Sequence, residues 1–194
     1  MRFLPGLICL LPLLSPLAHA ELIDDVNDRG ELRIALEANT PPYNFKEDGK
    51  LTGFEVELGQ LLANELDVRA DFVVTEAGEL LPGVETGKYD VAINHIALTP
   101  DLKDRFDFSA PYSYADAQLI AQKQQLHSMQ LMQSLQETAP KAGAPTGLVI
   151  PFQKGNPAFH NSLQNALQRI KADGRLEALT QKWFGAQTSA EPKP

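Results

Sequence analysis

The chain has 194 residues, 43% of them hydrophobic, and carries 17 basic against 25 acidic residues for a formal charge of −8. That length suits a single domain with its own core, and an acidic chain without a basic cluster excludes nucleic acid as a natural partner. One cysteine, Cys9, excludes an internal disulfide and any cysteine-based metal centre.

Residues 1–20 contain Arg2 as the only early charge and an apolar stretch broken by Pro5, Pro12 and Pro16. Ala18-His19-Ala20 then precedes acidic Glu21. This predicts a secretory signal peptide cleaved after Ala20 and delivery to the periplasm. The stretch is too short and too interrupted for a membrane span, and Cys9 lies too far from the cleavage point to accept a lipid.

Leu32, Ile34 and Leu36 mark a strand over residues 32–36, halted by Asn39-Thr40-Pro41-Pro42, and Asp48-Gly49 marks a turn. From there Phe54, Leu58, Leu61, Leu62 and Leu66 recur at helical spacing, which predicts a helix laid on a sheet. Residues 68–75 predict a second strand, 79–85 a short helix stopped by Thr86-Gly87, and 89–93 a third strand. Strands and helices alternating through short loops predict an α/β unit with a parallel sheet and right-handed crossovers. Ligands in such sheets gather at the carboxyl ends of the strands, here residues 37–40, 76–78 and 94–99.

Two further strands are predicted at 117–122 and 147–152. Between them lie a glutamine-rich stretch, 124–135, suited to a short amphipathic helix, and linker composition over 139–147. Asn156 is placed to cap, and Pro157 to open, a helix with Phe159, Leu163, Leu167 and Ile170 on its buried stripe. Asp173-Gly174 ends it. Leu176, Leu179 and Trp183 continue on a last helix to Gly185, and residues 186–194 read as a disordered tail.

These elements carry a recurring set of short motifs: Gly30-Glu31-Leu32-Arg33-Ile34, Pro41-Pro42-Tyr43-Asn44-Phe45, Gly53-Phe54-Glu55-Val56-Glu57-Leu58, Gly87-Lys88-Tyr89-Asp90, Thr99-Pro100, Phe106-Asp107-Phe108-Ser109-Ala110-Pro111-Tyr112 and Lys182-Trp183-Phe184-Gly185. In this order they resemble the family 3 extracellular solute-binding proteins, the periplasmic receptors of amino-acid ABC importers. The resemblance implies a first lobe, a crossing of two hinge strands, a second lobe, and a return to finish the first. Here the hinge strands fall at 117–122 and 148–152, and a spacer, 123–147, stands where the second lobe belongs. The expected fold is therefore α/β, a single periplasmic-binding-protein-like lobe over residues 21–185, with a mostly parallel sheet flanked by helices and two antiparallel hinge-type strands.

The resemblance also places an arginine shortly after the Thr-Pro motif, where its planar fork holds an amino acid's α-carboxylate. This chain has Leu102 there, and Lys103 or Arg105 nearby inherits no such role. Aromatic positions that sandwich the ligand read Thr40 and Ala77, the loop after the third strand reads Asn94, His95 and Ala97, and the acid for the α-amino group belongs to the missing lobe. The candidate ligand-binding residues are thus Glu37, Thr40, Tyr43, Glu76, Asn94, His95 and Thr99. Glu37, Glu76 and Asp101 gathered at the strand ends repel a free carboxylate.

His95 is a lone histidine, with His127 and His160 far off in sequence, so no metal and no cofactor is expected. Tyr43, Phe45, Tyr112 and Tyr114 read by default as core or loop packing, with an aromatic patch on the open face as the sharper alternative. Residues 126–135, or a second copy forming a homodimer, would cover that patch.

The expected function is a non-catalytic solute-binding protein whose amino-acid contacts are substituted, with a small polar solute or a periplasmic protein as partner. An accessory or docking subunit for an oxidoreductase or transporter is the alternative. A dehydratase-like enzyme, using the strand-end acids, ranks third because an open platform does not exclude water.

Overall fold

The computed structural model describes residues 21–115 and 146–185. The expected signal peptide, the strand expected at 117–122, the glutamine-rich stretch, the expected tail and all of the expected spacer except Thr146 and Gly147 lie outside these residues.

The main sheet has five strands in the order β5-β1-β6-β10-β7. β1 (Glu31–Leu36) is parallel to β5 (Arg69–Val74) and to β6 (Val91–Ala92), as the alternation of strands and helices predicts. β10 (Pro151–Gln153) runs antiparallel to β6 and to β7 (Phe106–Phe108), so the sheet is mixed, with four strands running one way and β10 inserted between two of them in the opposite direction.

Side chains alternate between the two faces of a strand, and both faces are covered. Leu32, Ile34, Val91 and Ile93 point to one core, closed by α1 (Leu22–Arg29), α2 (Phe54–Glu65), α5 (Pro157–Ala172) and α6 (Arg175–Phe184). Ala35 and Ala92, one residue out of phase, join Leu80 and Val84 of α3 (Ala77–Glu85) and Phe106 in a second core on the opposite face. The predicted stripes are the buried ones: Phe54, Leu58 and Leu62 on α2, and Phe159, Leu163, Leu167 and Ile170 on α5.

Asp90, fully buried, accepts hydrogen bonds from Arg29 and Arg33 at 2.7 Å each and from the Arg33 backbone, tying the end of α1 to β1 and to the entry of β6.

The structure adds elements the sequence reading did not predict, α1 and β7 among them, and shortens the third strand, expected over 89–93, to β6; four further details depart from that reading. A three-stranded meander, β2 (Asn39–Thr40), β3 (Asn44–Glu47) and β4 (Lys50–Thr52), occupies the loop before α2, with Asp48 and Gly49, both at positive φ, making its tight turn. The segment expected as one strand over 147–152 splits in two: β9 (Thr146–Leu148) pairs antiparallel with β8 (Ser113–Ala115), and β10 enters the main sheet. α3 begins at Ala77, two residues earlier than expected.

Asn156 does not cap its own helix. Its Oδ1 accepts from the backbone N–H of Leu22 at 2.8 Å, the start of α1, while Glu21 accepts from Ala158 at the start of α5 at 2.7 Å. The two helices therefore cap one another, because their N-termini meet side by side.

Candidate functional site

Three chain segments meet at the N-terminus of α2. Gly53 precedes the helix at φ +127, and a Cβ there would collide with the Tyr43 carbonyl, so this position requires glycine. The close approach lets main-chain carbonyls serve as the cap: Phe54 N–H donates to Pro42 O and Glu55 N–H to Tyr43 O, each at 2.9 Å. The Pro41-Pro42-Tyr43-Asn44-Phe45 and Gly53-Phe54-Glu55 motifs are thus two halves of one joint.

Glu55, in the first turn of α2, is fully buried. Its carboxylate receives the Asn44 side-chain amide, the Tyr112 hydroxyl at 2.6 Å and the backbone N–H of His95. The positive end of the α2 dipole adds to these neutral donors, which is how a carboxylate is held here with no lysine or arginine paired to it among the described residues. His95 Nδ1 lies 3.8 Å from the same carboxylate, and His95 is held at φ +44.

From Asn44 the network continues outward. Its Nδ2 also donates to Asn94 Oδ1 at 3.1 Å, and Asn94 makes a reciprocal pair with Glu37: Glu37 N–H to Asn94 Oδ1 at 2.9 Å, Asn94 Nδ2 to Glu37 Oε2 at 3.0 Å. Burial pushes the Tyr112 hydroxyl well above the usual tyrosine range, and the adjoining Glu55 charge adds to the effect. Tyr43 is raised by the same two causes in the same order.

Past His95 the chain runs along β9, with a bridge between Ala97 and Leu148 and a bond from Val149 N–H to Ile96 O at 2.9 Å. On the other side of β9, Tyr112 N–H donates to Leu148 O just before β8. The strand-end loop therefore lies two chain widths from β8, with β9 between.

Of the candidate residues, Glu37, Asn94 and His95 are brought together, and Tyr43 stacks beside His95 at 5.5 Å between ring centroids. Glu76 is the exposed N-cap of α3, Thr99 the exposed N-cap of α4 (Pro100–Lys103), and neither caps with its side chain. Among the described residues the Thr40 hydroxyl bonds its neighbour Asn39. Asp101 is exposed on α4, and no hydrogen bond joins it to Glu37 or Glu76 among the described residues.

Leu102 is half-buried against the second core, beside Phe106 and Phe108, and Arg105 is committed to Glu85. The sharper aromatic reading is corrected: Tyr43 and Tyr112 belong to the main core, and Phe45 packs edge-on against Trp183 at 6.0 Å. Val74 is the exposed large apolar side chain among the described residues. Asn44 and Glu55, quoted above only as motif letters, and Tyr112, weighed above only as an aromatic packing residue, are the residues that sequence reasoning missed as parts of the site.

The model of the bacterial extracellular solute-binding proteins, family 3, matches residues 32–186. The chain belongs to that family. The L-cystine-binding protein TcyJ of Escherichia coli is 25% identical, the match covering 89% of each chain. That alignment spans 237 positions, more than this chain has residues, so it crosses stretches of the relative without counterpart here. Among solved structures, an ancestral amino-acid-binding protein described as a precursor of cyclohexadienyl dehydratase superposes with a TM-score of 0.69 at 23% identity, over 85% of this chain and 100% of that one. The arginine-bound form of domain 1 from TmArgBP superposes with a TM-score of 0.57 at 25% identity, over 75% of this chain and 98% of that one.

Proposed function

We propose that the chain is a periplasmic, non-catalytic solute receptor of family 3, reduced to the first lobe, whose strand-end platform has given up the amino-acid contacts usual in its family. The observation that carries the reading is Leu102. Where the resemblance expects a carboxylate-binding arginine, an apolar side chain packs on the second core, and the arginine nearest to it in sequence, Arg105, is spent on Glu85. The strand-end loops carry Glu37, Glu76 and Asp101, acids with no lysine or arginine bonded to them among the described residues, and negative charge there disfavours a free α-carboxylate.

The single-lobe part of the reading is supported by the near-complete coverage of an isolated first domain and by the unmatched stretches in the TcyJ alignment. That a domain 1 has been solved with arginine bound supports ligand recognition by a lobe of this kind. The solute is a small polar molecule held weakly by one lobe, and a second copy or a periplasmic protein would complete the cleft. Relatives bearing binding-protein names support the non-enzymatic reading.

The test is an NMR titration of the ¹⁵N-labelled chain starting at Glu21, with a panel of amino acids, simple amines and small organic acids. The largest shifts are expected at residues 37–40 and 94–99, whereas shifts centred elsewhere, or none across the panel, would overturn the assignment of the platform.

A further inference from the structure

The geometry points to Glu55 as a positioning residue that locks the solute-side loop to the strand leading out of the lobe. This rests on the reading of the strand ends as the solute side. Two of the three strand-end loops, and the turn before β8, meet in one connected set of bonds: Glu37 after β1 and Asn94 after β6 through Asn44, His95 by its backbone, and Tyr112 just before β8. Glu55 is the group they share. A solute that draws on Glu37 or on the loop at 94–99 therefore acts on the same carboxylate that holds Tyr112, and Tyr112 fixes where the chain enters β8.

Two features argue for more than passive core filling. His95 sits in the left-handed region, a conformation that costs a non-glycine residue free energy and that the bond to Glu55 holds in place. Asn44 Oδ1 is buried without a partner, because both its amide hydrogens are directed to acceptors, Glu55 and Asn94. The Asn44 side chain is thus oriented by the Glu55 charge. Exchanging that carboxylate for an amide places a donor against Asn44 Nδ2, and the Asn44 amide is then expected to turn, using its idle oxygen and releasing Asn94.

Amide hydrogen exchange of the solute-free chain tests this, so its failure is distinct from a failure to bind solute. In Glu55→Gln, exchange at Glu37 is expected to rise about tenfold while Ile93, whose N–H bonds Ala35 in the core, stays unchanged. In Glu55→Ala, His95 and Tyr112, whose N–H bonds Leu148, are expected to rise as well, and Glu55→Gln restores protection at those two. Asn94→Ala and Tyr112→Phe, on opposite sides of Glu55, are expected to change His95 exchange non-additively, by a factor of about three. Additive effects in that pair, or exchange rising evenly with the core amides, would reduce Glu55 to a structural group and overturn the proposal. Should Glu55→Ala fail to fold, the Asn94 and Tyr112 cycle decides alone.

Discussion

The backbone N–H of His95 donates to the carboxylate of Glu55, 40 residues away in sequence and on a different layer of the fold. Removing that acceptor strands three buried donors, each worth about 1–3 kcal/mol when left unpaired. Glu55→Ala is expected to lower the unfolding free energy by about 3 kcal/mol or more, and Glu55→Gln by about 1 kcal/mol, since the amide oxygen still serves His95 and Tyr112. Urea denaturation of both variants checks the order, and equal losses would contradict it.

The crossed caps of α1 and α5 give a second expectation. Asn156→Ala leaves the buried Leu22 N–H without an acceptor and is expected to cost about 1–2 kcal/mol. Glu21→Ala removes an exposed cap from Ala158 and is expected to cost about half as much. Denaturation midpoints measure both, and a neutral Asn156→Ala would show that the helices do not depend on one another.

Stability is expected to fall at both pH extremes for identifiable reasons. Hydrogen bonds from Arg169 and Arg175 hold Glu65 below its ordinary value, so its contribution is present above the usual carboxylate range and is lost as pH falls through the lowered folded value. Tyr112 is raised well above its ordinary 10.0 by burial, so its contribution is present below that value and is lost as pH rises beyond it. Thermal unfolding against pH is expected to show a flatter acid limb in Glu65→Gln and a flatter alkaline limb in Tyr112→Phe. Unchanged limbs would remove these groups from the account.

Leu102→Arg tests the missing fork. The substitution is expected to cost about 1–2 kcal/mol of stability, because Leu102 packs on the second core. It is also expected to tighten binding of L-arginine at least about tenfold relative to the original chain, through paired bonds to the α-carboxylate. Calorimetry on both chains measures the gain, and no gain would mean that other differences set the specificity.

Much of the architecture was legible because it rests on local periodicity. The stripe from Phe54 to Leu62, the strand at Ile34 and the Pro157 helix start each declare themselves within a few residues. The β2–β4 meander did not, since strands of two to four mostly polar residues are too short to show an alternation. The break between β9 and β10 was masked by the apolar run through Val149 and Ile150, both fully buried between the strands, although Pro151, the first residue of β10, marks it. Asn156 carries a correct local signal that tertiary contact redirected to Leu22. In the site, Glu37, Asn94 and His95 follow from strand ends, whereas Asn44, Glu55 and Tyr112 converge only through the topology, which brings the α2 N-terminus against the loop after β6.

The central claim is that this lobe is a receptor that no longer grips α-amino acids, and calorimetric titration of the chain from Glu21, shown monomeric by sedimentation, against L-cystine and L-arginine tests it most directly. The account predicts no saturable heat in the range of a Kd near about 1 μM. One-to-one binding at that affinity by the monomer would contradict it.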